Sequence, residues 1–158
     1  MDLTFRMEEG TFNFRVAAVI AHEGKLLIMQ DPEAPYWYLP GGRVQLHEQA
    51  EAALLREMGE ELGIAPTIVR PLWLVQHFYF EVVNREQYHE LGLYMLVDVS
   101  GTELLQRGEE FSVREDDHVN TFRWVEFEKL EQLYLHPVFM KKAIFHLPEQ
   151  LEWITQTE

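Results

Sequence analysis

Apolar residues fall in runs and stripes whose spacing changes along the chain. Residues 15–20 read RVAAVI, a nearly unbroken apolar run that suits a strand covered on both faces. Residues 25–29, KLLIM, follow across Glu23-Gly24, which predicts a hairpin partner for the first run. Tyr36, Trp37, Tyr38 and Leu39 read as a short strand, and Pro40-Gly41-Gly42 then force a turn. From about residue 47 to 62 the period changes. Leu54, Leu55, Met58 and Leu62 recur at spacings of three and four, the pattern of a helix with one apolar face. Gly63 follows where such a helix stops and suits a left-handed cap. Residues 67–83 are rich in β-branched and aromatic side chains, and residues 92–99 and 120–127 add two further strands. Residues 139–147 return to helical spacing, with Ile144 and Phe145 on the inner side. Strands on either side of one long helix, with a late second helix, predict an α/β/α sandwich.

The helix over residues 47–62 carries an acidic stripe beside its apolar one. Glu57, Glu60 and Glu61 lie at i, i+3 and i+4, so three carboxylates converge on one edge. Glutamates on a helix are ordinarily a solvated face. Two features set these apart. Glu60 and Glu61 occupy the last turn, where the helix dipole disfavours acids. Like charges at these spacings also repel by a few tenths of a kcal/mol per pair. Arg56 is the one cation in the surrounding helix. A divalent cation would relieve the conflict, and clustered carboxylate oxygens suit Mg²⁺ or Mn²⁺. Glu48 stands at the predicted start of the helix, where the dipole favours an acid.

Residues 42–64, GRVQLHEQAEAALLREMGEELGI, match a longer pattern. It runs Gly, five residues, Glu, seven residues, then Arg-Glu-aliphatic-any-Glu-Glu-any-Gly-aliphatic. Gly42, Glu48, Arg56, Glu57, Met58, Glu60, Glu61, Gly63 and Ile64 fill it with no insertion or deletion. The stretch resembles the Nudix box, the signature of hydrolases that cut nucleoside diphosphates linked to another group. Two positions depart from common usage: His47 stands where many members have Gly, and Met58 where Ile, Leu or Val is usual. The resemblance implies the Nudix fold, an α/β/α sandwich with a mixed sheet, in a single domain over residues 1–158. It implies that Glu57, Glu60 and Glu61, with the carbonyl of Gly41, hold Mg²⁺ or Mn²⁺. It gives Glu48 and Arg56 the work of tying loop to helix and orienting the metal-binding glutamates. It implies attack of water on a phosphorus, with Glu57, Glu60 or a later loop acid accepting the proton.

Composition narrows the partners. Zero cysteines exclude disulfides and thiol catalysis. A net charge of −14 disfavours duplex DNA or long RNA, while bound cations still permit a small anionic substrate. No apolar run reaches ~20 residues, and the first residues carry no signal-peptide pattern. These features fit a cytoplasmic enzyme of small-molecule nucleotides that engages no membrane. A homodimer is compatible with them.

Substrate contacts are read from position alone. Arg15, at the mouth of the first strand, is placed to meet a phosphate. Trp73, His77, Phe78, Tyr79 and Phe80 cluster after the box, and of these Phe78 and Tyr79 are the candidates to stack on a base. Glu90 precedes the 92–99 strand and is a candidate to approach the metal. Glu115-Asp116-Asp117-His118 forms a charged loop that holds a candidate for the later acid. The proline of ADP-ribose enzymes is absent where Phe78-Tyr79-Phe80 stand, and the leading reading is a nucleoside triphosphate or related nucleotide. Two other readings stay open: a non-catalytic ligand sensor on the same fold, and hydrolysis at RNA 5′ ends.

Overall fold

The computed structural model describes residues 1–158. Its strands are β1 (Thr4–Met7), β2 (Gly10–Val19), β3 (Ala21–His22), β4 (Lys25–Gln30), β5 (Gly41–Arg43), β6 (Thr67–Glu81), β7 (Glu86–Asp98), β8 (Glu110–Glu115), β9 (His118–Glu126) and β10 (Glu152–Thr157). Its helices are α1 (Ala50–Leu62) and the short α2 (Met140–Ala143), with 3-10 turns at Leu104–Arg107 and Phe127–Gln132. No helix is long and apolar enough to cross a membrane.

One sheet runs β1-β2-β7-β6-β10, with β5 paired onto β2; the other runs β3-β4-β9-β8. The first is mixed. β2 runs parallel to β7 and β6 parallel to β10, while β6 and β7 form a long antiparallel hairpin.

Alternation along β2 explains the layers. Val16, Ala18 and Ile20 enter one core with Ala53, Leu54, Met58 and Leu62 of α1. Ala17 and Val19 enter a second core with Trp73, Tyr94, Met140 and Ile144. β4 does the same: Leu27 and Met29 face the first core, Leu26 and Ile28 the second. Strands buried on both faces read as continuous apolar runs, as residues 15–20 and 25–29 do. A helical layer covers each side, so the α/β/α arrangement holds, though the second layer is thin.

Several boundaries differ from the sequence reading. The hairpin across Glu23-Gly24 joins β3 to β4, not β2 to β4. The sides of β2 are occupied by β1, β5 and β7, so the chain passes into the second sheet at Ile20. Residues 36–39 form only single bridges, Met29 to Tyr38 and Trp37 to Leu135, and the strand falls instead on Gly41–Arg43. α1 starts at Ala50 rather than near residue 47, because His47 has a left-handed φ of 68°. A glycine takes that φ without strain. Leu55 is exposed, and Ala53 takes its place on the inner face. The predicted helix at 139–147 shrinks to α2 between Pro137 and Pro148. Ile144 is buried there, whereas Phe145 is 46% exposed. β1, β8 and β10 were not anticipated. β1 is only four residues long, and the charged alternation of β8 resembles loop composition.

α1 ends as its sequence predicts. Gly63 adopts φ 65° and donates its N–H to Gly59 at 3.0 Å, leaving the helix in a left-handed cap. Gly59, four residues earlier, sits exposed within the helix with open space where a side chain would be. The two glycines should respond oppositely to alanine. Gly63→Ala is expected to lower stability by about 1 kcal/mol. Gly59→Ala is expected to raise it by roughly 0.5–1 kcal/mol through helix propensity. Urea midpoints at constant slope measure both, and equal shifts of the same sign would contradict the cap.

Candidate active site

β5 lays the glycine loop against β2, and α1 turns back across it. A Cβ on Gly41 would overlap the backbone of Val16, and one on Gly42 would overlap the Glu57 carboxylate. Both positions therefore allow a close approach that a side chain would block. The Gly41 N–H donates to Glu61 Oε1 at 2.8 Å, joining loop and helix at the end of α1.

Arg56 makes the second junction. Its Nε and Nη2 donate to the two Glu48 oxygens at 2.8 and 2.9 Å. Its Nη1 donates to Glu57 at 2.9 Å and more loosely to Glu60 at 3.4 Å. Nη2 also reaches the Arg43 carbonyl at 3.0 Å. Glu48, which also accepts the Gln45 N–H at 3.0 Å, is pulled down to about 2, first by the Arg56 hydrogen bonds. Glu48 lies in the loop before α1, not in its first turn.

The acids differ in environment. Glu61 is 4% exposed, and burial drives its carboxyl well above the ordinary range; Arg15 opposes this and Glu57 adds to it. Burial also raises Glu57, with Arg56 opposing. Glu60 is 47% exposed and turns to Arg56. The crowding expected of three glutamates is thus concentrated on Glu57 and Glu61.

Glu57 and Glu61 open into a cavity of about 270 Å³ shared with Arg15, Gly41, Glu115 and Asn120. Glu115 ends β8, and its carboxyl is raised by burial and then by Glu60 and Asp116. The charged tract at 115–118 is a tight turn between β8 and β9, and it sends Glu115, Asp116 and His118, but not Asp117, to this cavity. Buried Asn120 Oδ1 has no partner. An unpaired buried acceptor costs about 1–3 kcal/mol. These oxygens make a hard, acidic donor set suited to Mg²⁺ or Mn²⁺. No three acidic or imidazole side chains are drawn round a single point, because Arg56 holds Glu57 and Glu60.

A second cavity, of about 530 Å³, adjoins the first through Arg15, Asp31 and Tyr38. Arg15 donates to the Leu39 carbonyl at 2.7 Å. Burial works against its charge, but Glu90, Tyr94 and Glu61 more than compensate, and its pKa rises. Tyr79 and Glu90 line this larger cavity, and the Tyr79 hydroxyl donates to Glu90 Oε2 at 3.3 Å. Glu90 does not reach the acidic cavity. Phe78 points to the other face of β6 and packs on His89, ring centroids 4.5 Å apart. Trp73 is in the core and Phe80 is exposed.

Sequence reading missed Asn13, Tyr36, Tyr94 and His136 in the cavity wall, and Glu158 behind it. Asn13 and Arg15 alternate with Phe12 and Phe14, a period-two signal that was available. Glu158 Oε2 lies 2.6 Å from both His77 and His136. Burial works to raise this carboxyl, yet His136, His77 and the Val138 N–H hold it at about 2. Nothing in the sequence marks that contact.

The NUDIX domain family matches residues 11–147. The chain belongs to the Nudix family. The CTP pyrophosphohydrolase of Escherichia coli (strain K12) is 44% identical over 57 residues, 34% of this chain and 42% of that protein. The chain therefore spans less than half the length of this relative. Low-salt glycan biosynthesis protein Agl8 of Haloferax volcanii is 30% identical over 118 residues, 70% of this chain and 76% of that protein. The crystal structure of a MutT NUDIX hydrolase from Burkholderia pseudomallei superposes with a TM-score of 0.58 at 28% identity, covering 82% of this chain and 95% of that one. Residues 42–64 of this chain fall within the matched span, and β10 with Glu158 lies beyond it.

The buried Glu61 fixes a pH dependence. A carboxyl raised on folding stabilises the protein below the unfolded glutamate pKa, and that contribution is lost as pH rises through the folded value. In chelator, Glu61→Gln is therefore expected to raise the urea midpoint at neutral pH, with the gap closing as pH falls below the ordinary glutamate range. A variant less stable than its parent at neutral pH would contradict this.

Proposed function

We propose that this Nudix hydrolase is a divalent-cation-dependent pyrophosphohydrolase of a nucleotide, or of a nucleoside diphosphate linked to another group. The observation that carries the reading is the acidic cavity at Glu57 and Glu61, opening past Arg15 into a larger, aromatic one. That pairing suits a substrate with a diphosphate at one end and a flat, uncharged group at the other. The names of the E. coli relative and of the ADP-ribose pyrophosphatase of Methanocaldococcus jannaschii, 29% identical over 92 residues, agree on pyrophosphate chemistry but differ in nucleotide.

Glu57, Glu60 and Glu61 would hold the cation, with the Gly41 carbonyl beside them. A bound cation supplies charge neutralisation of the diphosphate and a more acidic water. The chain's own residues supply position and proton transfer. Arg56 and Glu48 fix the glycine loop against α1, so the carboxylates keep their placement. Arg56 engages only Oε1 of Glu57, so Oε2 would be available to a cation. Arg15 stands at the junction of the two cavities, where a phosphoryl oxygen would meet its guanidinium. Glu57, Glu60 and Glu115 are the carboxylates available to accept the proton from water, Glu115 being the later acid. No nucleophilic side chain is required.

The test is a panel of nucleotides with Mg²⁺ or Mn²⁺ and phosphate detection after phosphatase coupling. Hydrolysis should stop in chelator and return with the cation. Glu57→Gln and Glu60→Gln should each lower kcat by about 100-fold or more, within the range of positioned acid–base groups. Glu109→Gln, 70% exposed and paired only with Lys25, should change it by less than about twofold, as surface ion pairs contribute little. Turnover that persists in metal-free buffer would overturn the mechanism. Separately, reaction in ¹⁸O-water should label phosphorus only; label on carbon would mean another reaction.

A further inference from the structure

The floor of the larger cavity carries a polar rung across the sheet. Asn13 on β2 stands opposite Glu90 on β7, and Glu90 stands opposite His77 on β6. The three are 5%, 6% and 5% exposed. Asn13 Nδ2 and the Tyr79 hydroxyl both donate to Glu90 Oε2 at 3.3 Å. No protein group donates to Glu90 Oε1, and Asn13 Oδ1, itself shielded from solvent, has no partner. Buried amide oxygens nearly always accept a hydrogen bond. Both residues line the larger cavity, and each keeps one side-chain oxygen that receives no protein hydrogen bond. Tyr79 lies flat against Tyr88, centroids 5.2 Å apart and planes 4° apart, which gives the wall a broad aromatic face.

We infer that Asn13 and Glu90 form a base-reading subsite that selects nucleobases bearing an exocyclic amine. This rests on the nucleotide hydrolase reading and adds the class of base. An amine offers N–H donors to two acceptors. Cytosine carries NH₂ where uracil carries a carbonyl oxygen, and guanine carries NH₂ where hypoxanthine carries hydrogen. A uracil carbonyl would face the Glu90 carboxylate and the Asn13 oxygen, acceptor against acceptor. A site built to receive donors rejects an analogue that lacks them far more strongly than an apolar pocket rejects a change of size. The direction along the cavity is consistent. Arg15 lies two residues from Asn13 on the same face of β2, toward the acidic cavity. A base on the rung therefore points its phosphates past Arg15 to Glu57 and Glu61.

Two matched substrate pairs test this: CTP with UTP, and GTP with ITP. Members of each pair share charge and nearly share shape. We expect kcat/KM to favour the amino member of at least one pair by tenfold or more, with the difference in KM rather than kcat. Glu90→Gln puts an amide donor where the carboxylate stood, so it should bring that ratio toward one. Asn13→Ala should reduce the ratio in the same direction, and melting curves confirm that each variant is folded. Calorimetric binding of CMP and UMP, and of GMP and IMP, reads the same preference without turnover. Equal kcat/KM within both pairs overturns the inference. So does a ratio that survives in folded Glu90→Gln. If no nucleotide is hydrolysed with any cation, the hydrolase reading fails, yet the monophosphate binding preference still decides whether the rung reads an amine.

Discussion

One guanidinium holds the box together. Arg56 is the only cation on a helix that carries five acids between Glu48 and Glu61, counting its loop partner. It spends its donors on Glu48, Glu57, Glu60 and the Arg43 carbonyl, so loop, helix and strand meet at one planar group. The bidentate fork to Glu48 has an orientation that a lysine could not reproduce. Pairing of β5 on β2 completes the frame, with the Gly41 amide on Glu61 and a narrow gap between Gly42 and Glu57. The frame is thus satisfied electrostatically on one side and strained on the other. Arg56 neutralises the outer carboxylates, while Glu61 lies inside with one hydrogen bond and a carboxyl that burial pushes up.

Sequence legibility followed the strength of local signals. The nine box positions have fixed spacing, and the apolar runs at 15–20 and 25–29 announce strands covered on both faces, so the frame and central strands could be read. Pairing could not. Residues 25–29 look like a hairpin partner for 15–20, yet β2 is already flanked by β1, β5 and β7, a fact of long-range topology that no window shows. Alternating charged strands such as β8 hide as loops, and with β8 hidden the position of Glu115 against the box could not be deduced. The reading of Phe78 and Tyr79 shows the limit of composition. Both are aromatic neighbours on one strand, but period two sends Tyr79 to the cavity and Phe78 to the opposite face.

The two cavities divide the proposed labour by chemistry. The acidic one is small, charged and shared among α1, β5 and the turn between β8 and β9. The larger one is aromatic, and its floor is a sheet whose polar rung is buried. Arg15 belongs to both, and its charge is upheld by Glu90 on one side and Glu61 on the other. A single residue therefore couples the electrostatics of the two ends. Changing either carboxylate alters the field that the other end feels, so substitutions in the two cavities need not be additive.

β10 bears on how the cavity wall is held. β10 joins β6 in parallel, and Glu158 just beyond it ties down His77 and His136 in the cavity wall. Parallel pairing of this kind spans about eighty residues of chain, from Trp73 to Glu152. The buried residues of both cores end at Ile144, whereas His77 and His136 in the wall also draw on Glu158. A chain lacking β10 would keep the carboxylate frame and leave those two imidazoles without their shared carboxylate. The wall is therefore braced by a contact outside the span that matches the family, separable from the frame that holds the acids.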